Sequence, residues 1–192
     1  MKYTEQGFTL LEVLIAAIVL TTSLLGLVVL QGVSKYSSYE ARQRTVAMYI
    51  ATDLQDRLRI NKRAWMAQHL NTADATYSVS AGTGMTTISR PSCAQSNGLM
   101  SGCSQNDIVN LDLYALQEQL LGFAVSGSGN VMQSPVGCIT LNRIDSRNGA
   151  NATITISWQD REDLNGAFQD DGNTTCGTGG STHRQYQVRT VL

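Results

Sequence analysis

Apolar residues are spread very unevenly along the chain. Residues 8–30 read FTLLEVLIAAIVLTTSLLGLVVL, and Glu12 is the single charged side chain among them. At 1.5 Å rise per residue this run predicts a helix roughly 35 Å long, enough to cross a hydrocarbon core of about 30 Å. Thr21, Thr22 and Ser23 do not disturb it, because hydroxyls bond back to carbonyls of the preceding turn. Beyond Leu30 the pattern changes without a break. Residues 31–60 contain no proline, and Val33, Tyr36, Val46, Ala47, Ile50, Leu54 and Leu58 recur mostly at spacings of three and four. That is one apolar helix face, with Arg42, Arg44, Asp53, Asp56, Arg57 and Arg59 expected on the other. The two stretches predict one spine helix of roughly 85 Å from about Phe8 to about Trp65.

The remaining pattern is that of a mixed head. Residues 71–105 are loop-rich, with short strand-like pieces at Tyr77–Ser80 and Met85–Ser89. A second helix is expected from Asn106 to Gly122, with Asp107 in its first turn and Ile108, Leu111, Leu113, Leu116, Leu120 and Leu121 on an apolar side. Strand alternation follows at Gly137–Ile144 and Ala152–Trp158, with DSRNGAN as the turn, and again at Gln185–Val191; Phe123–Ser126 is a shorter candidate. An antiparallel sheet wrapped on the apolar face of the spine makes the fold class α+β.

Composition narrows the function. A net charge of −1 offers no field for nucleic acid, and Arg90, Arg143, Arg147, Arg161, Arg184 and Arg189 are scattered rather than clustered. Four cysteines, Cys93, Cys103, Cys138 and Cys176, all lie after residue 90. They form no CxxC and the chain has two histidines, so disulfides in an oxidising compartment are expected instead of zinc. Four cysteines allow three pairings. Cys93–Cys103, closing a short loop, and Cys138–Cys176, tying a central strand to a long loop, are favoured. That loop holds Asp160, Glu162, Asp163, Asp170 and Asp171, yet it lacks EF-hand spacing and is read as solvated, without calcium. GTGG at 177–180 has no following lysine and is read as a turn, not a phosphate loop. No GxSxG, HExxH or P-loop occurs, and His69 and His183 have no partner motif, so no catalysis, cofactor or metal is expected.

The first residues decide what the apolar helix is for. Lys2 and the amino terminus, less Glu5, give +1 before it; Lys35, Arg42 and Arg44, less Glu40, give +2 after it, so charge does not orient it. MKYTEQG places a small residue before the hydrophobic core, whereas a secretory signal is cut after its core. The string GFTLLEVL resembles the class III signal of type IV prepilins and type II secretion pseudopilins. That resemblance implies cleavage by a prepilin peptidase between Gly7 and Phe8, N-methylation of Phe8, and a role for Glu12 in subunit assembly. SLLGLVVLQ and ATDLQDRLRINKRAW, through Ala51, Asp53, Leu54, Arg57, Arg59 and Asn61, look like the PilV family of minor pilins. Major pilins usually carry a proline in the membrane half of the helix, and this chain has none there.

The resemblance implies a type IV pilin-like roll with a leader at 1–7, a transmembrane or filament-core helix at 8–30, its amphipathic continuation at 31–65 and a periplasmic or extracellular head at 66–192. The implied function is a minor pilin in the initiation of pilus assembly. Its partners would be other minor pilins, the major pilin, the prepilin peptidase, the inner-membrane assembly machinery and the membrane itself, with no nucleic acid. A minor pseudopilin of type II secretion shares the leader and fold and is the alternative. A pilus-tip adhesin is another, since polar loops that bind a glycan or host surface leave no sequence signature.

Overall fold

The computed structural model describes residues 9–69, 74–80, 87–95, 100–122, 132–144, 149–159, 176–177 and 183–192. In chain order the elements are α1 (Leu10–Ile60), α2 (Lys62–His69), β1 (Asp74–Ser80), α3 (Gln105–Leu120), β2 (Gln133–Arg143), β3 (Ala150–Gln159) and β4 (His183–Val191). The chain divides into two compact units, Met1–Arg42 and Gln43–Leu192, and α1 contributes to both.

In the second unit the buried positions of α1 are Gln43, Ala47, Ile50, Ala51, Leu54 and Leu58. Their spacing of mostly three and four keeps them on one face. That face packs on a four-stranded antiparallel sheet in the order β1-β2-β3-β4. The register sets Tyr77 opposite Ile139, Ile139 opposite Ile154, and Ile154 opposite Val188. Side chains two residues apart share a face, so Ile139 and Leu141 of β2 join Ala152, Ile154, Ile156 and Trp158 of β3 in the core. Val109, Leu113, Leu116 and Leu120 of α3 complete it. The architecture is the α+β layout expected from the sequence: a long N-terminal helix on an antiparallel sheet.

Element boundaries differ in instructive ways. The spine does not run unbroken to Trp65: α1 ends at Ile60, Asn61 forms a turn, and α2 carries Trp65. The Asn61 carbonyl accepts from both Ala64 and Trp65, a tightened turn that interrupts the regular helix. α3 starts one residue early because Ser104 caps it. Its hydroxyl accepts from the Asp107 N–H, and the Asp107 carboxylate accepts from the Ser104 N–H, forming a reciprocal capping box. At the other end Gly122 takes φ +80°, the left-handed conformation that ends helices at least cost with glycine. Residues 87–89, expected to be strand-like, form none; 85 and 86 lie outside the described residues, as do the candidate strand 123–126 and the acidic loop with Asp160, Glu162, Asp163, Asp170 and Asp171.

Two disulfides staple the second unit. Cys93 and Cys103 are joined with Cα atoms 5.2 Å apart, closing a loop in which Ser101 N–H donates to the Cys93 carbonyl at 3.1 Å. Cys138 and Cys176 are joined with Cα atoms 5.6 Å apart, and both are buried. Cys138 stands opposite Thr155 in the sheet register, and Cys176 Sγ lies 3.4 Å from the Thr155 carbonyl oxygen. The bond therefore covers the sheet face opposite the helices.

Candidate functional site

The first unit is where the chemistry singled out by the sequence resides. Each described residue of α1 up to Lys35 is exposed, from Leu10 at 91 % to Leu30 at 66 % and Val33 at 62 %. Val33, expected to start the buried stripe, therefore lies outside the core. Leaving such a surface in water forgoes roughly 1.5–3 kcal/mol for each large apolar side chain. A continuous run of them demands an apolar environment, whether hydrocarbon or neighbouring helices.

The backbone and hydroxyls of this segment are prepared for that environment. Thr21 Oγ1 donates to the Ile18 carbonyl at 2.9 Å, Thr22 Oγ1 to Val19 at 2.9 Å and Ser23 Oγ to Val19 at 2.8 Å. No hydroxyl of the three needs an outside partner, so the surface they present is effectively apolar. By length and composition α1 is able to cross a membrane.

Glu12 is the exception on this surface. It sits in the first turn of α1, where a negative charge meets the positive end of the helix dipole. Its N–H donates to the Thr9 carbonyl at 3.1 Å, with Thr9 Oγ1 at 3.4 Å. Its side chain is exposed, and among the described residues no cation is paired with it. A carboxylate on an apolar helix is costly in low dielectric unless a cation or water meets it. Gly7 and Phe8, where cleavage and methylation are expected, lie outside the described residues.

A second polar cluster escaped the sequence reading. Asp53 and Arg57 of α1, expected to face solvent, are half-buried, and Asp53 Oδ2 accepts from Arg57 Nε at 2.7 Å and from Gln119 Nε2 of α3 at 2.6 Å. Asp112 of α3 is 2 % exposed. Its oxygens accept from Asn61 Nδ2 at 3.0 and 2.8 Å, and Oδ2 also accepts from Trp65 Nε1 at 2.9 Å. The available signal was an acid set between Leu111 and Leu113 in an otherwise apolar helix stretch.

Comparison with known proteins gives one finding. Residues 2–28 match the family model for the prokaryotic N-terminal methylation motif. Neither the curated proteins nor the solved structures contain a match to this chain. The matched span contains Gly7, Phe8, Glu12 and most of the exposed apolar helix, and it supports a type IV pilin-like protein of a pilus or pseudopilus system. A motif of this kind belongs to structural subunits and implies processing by a prepilin peptidase. The motif and the apolar helix together fit anchoring in the inner membrane and assembly there.

Proposed function

We propose that this chain is a minor pilin of the PilV kind, acting in the initiation of type IV pilus assembly. The observation that carries the reading is the exposed apolar half of α1 with Glu12 in its first turn, inside the segment that matches the methylation motif. After cleavage between Gly7 and Phe8, residues 8–30 hold the subunit in the inner membrane and later in the fibre. The head from residue 66 onward stands on the periplasmic side, where its two disulfides form and persist. Its partners are other minor pilins, the major pilin and the assembly machinery. The absence of proline from the apolar helix supports a minor over a bulk subunit.

A minor pseudopilin of type II secretion would carry the same motif. The two disulfides favour the pilus, because pseudopilin heads tend to have fewer cysteines. Deleting the gene and counting surface pili by electron microscopy, beside an assay of protein secretion, separates the two. Loss of pili with normal secretion is the expected result; normal piliation with failed secretion overturns it in favour of the pseudopilin. Processing is tested on its own by mass spectrometry of the membrane-bound protein. N-methylated Phe8 is expected as the first residue, and intact residues 1–7 in assembled fibres would refute the cleavage.

A further inference from the structure

α3 meets the second half of α1 along a seam that is polar as well as apolar. Asp53, Arg57, Asn61 and Trp65 recur every four residues, which places them along one side of the α1–α2 run. Asp112 is the deepest charged group of that seam, and the donors that meet it, Asn61 and Trp65, come from the turn between α1 and α2 and from α2 itself. The charges acting on it are Arg57 and Asp53, both from α1. Arg57 is engaged by Asp53 at 2.7 Å, and its charge acts on Asp112 from a distance. From the sheet, the Tyr77 ring of β1 lies perpendicular to the Trp65 ring, with centroids 5.3 Å apart.

We propose that Asp112 is a proton-operated latch between α3 and the α1–α2 junction, its neutral form seating the helix more firmly in mild acid. The geometry accommodates both forms. Ionised, the carboxylate collects the Asn61 and Trp65 donors. Protonated, it keeps one oxygen for the Trp65 N–H, while the Asn61 amide turns its oxygen to accept the acid O–H. The repulsion from Asp53 then disappears. Burial pushes the Asp112 carboxyl above its usual range, and Asp53 adds to the rise; the hydrogen bonds from Asn61 and Trp65 and the charge of Arg57 oppose it without cancelling it. The folded state therefore holds this proton at a pH where the unfolded chain has released it. Stability from this group grows as pH falls through the folded value and is lost as pH rises through it. Asp107, whose carboxyl is held below its usual range by Ser104, responds in the opposite sense and at lower pH.

The test uses the full-length protein in detergent micelles, with labelled aspartate carboxyls and indole nitrogens followed by NMR. The chain has two tryptophans, and the Trp158 indole has no hydrogen-bond partner among the described residues, so it serves as an internal reference. The expected result is one aspartate carboxyl and one indole N–H shifting together, with a midpoint above about 3.9, while the other indole stays flat. A thermal-unfolding series from neutral pH into mild acid should show a rise in Tm for the wild type relative to Asp112→Asn. Aspartates that all titrate at or below about 3.9, or parallel Tm profiles for the two proteins, overturn the latch. If Asp112→Asn does not fold, the wild-type titration decides alone.

Discussion

At the scale of single residues, Glu12 and the Ser104–Asp107 pair show how one charge does different work in different media. Cleavage before Phe8 would create an ammonium four residues from Glu12. In the assembly proposed above, that amine would meet the Glu12 carboxylate of a neighbouring subunit. In low dielectric such a pair offsets part of each ion's desolvation cost, whereas a lone carboxylate remains expensive. Glu12→Ala should leave leader processing and the head intact but weaken recruitment, read by co-purification with the other minor pilins and by counting pili; Glu12→Asp should be partly defective. Normal recruitment with Glu12→Ala would mean the side chain merely reaches to water. Asp107, by contrast, works in solvent as half of a capping box. Ser104→Ala should cost about 1 kcal/mol in denaturant unfolding. The Asp107 carboxyl is held below its ordinary value of 3.8, so its contribution is complete above that pH and is lost as pH falls through the folded value. The Tm difference between wild type and Asp107→Asn should accordingly shrink in strong acid and stay constant around neutrality.

At the scale of elements, α3 and β2 come together closely because one position has no side chain. A Cβ on Gly137 would lie 3.0 Å from Leu116 Cδ2 and 3.3 Å from its Cδ1. Leu116 is itself buried in the core and has little room to turn. Gly137→Ala should cost about 1–3 kcal/mol by overpacking, seen as a lower denaturation midpoint, and trimming Leu116 to Val in the same chain should recover part of it. On the other sheet face the Cys138–Cys176 bond closes a separation of 38 residues. Cys138→Ser with Cys176→Ser should lower stability by about 2–4 kcal/mol, and more than loss of Cys93–Cys103, whose separation of 10 removes less entropy from the unfolded chain.

At the scale of the whole molecule, the two units answer to different solvents. Among the described residues, 43–192 gather most of their large apolar side chains into one core, whereas 10–33 expose theirs. A fragment spanning 34–192 should therefore unfold cooperatively in plain buffer, while the full chain should need detergent. Circular dichroism melts of the two, with sedimentation to read aggregation, check this. A fragment without a cooperative transition would show that the head depends on the first half of α1 for its stability.

Elements that depend on local periodicity were legible along the chain. The unbroken apolar run after Gly7 specifies the exposed helix, the stripe through Ala47, Ile50, Leu54 and Leu58 specifies the packed one, and the alternation in Gly137–Ile144 and Ala152–Trp158 specifies central strands. Spacing along a chain carries such information because helix and strand each repeat it geometrically. Which polar residues go inside is set by contacts between distant segments. Asp53 reads as solvated from its own helix, and Asp112 reads as one acid on an apolar one; Asp53 is drawn into the seam by Gln119, 66 residues away, and Asp112 by Asn61, 51 residues away. The break at Asn61 belongs to the same class, since no proline or glycine announces it there. A buried hydrogen bond is a property of two distant segments, and neither segment alone records that the other will supply its partner.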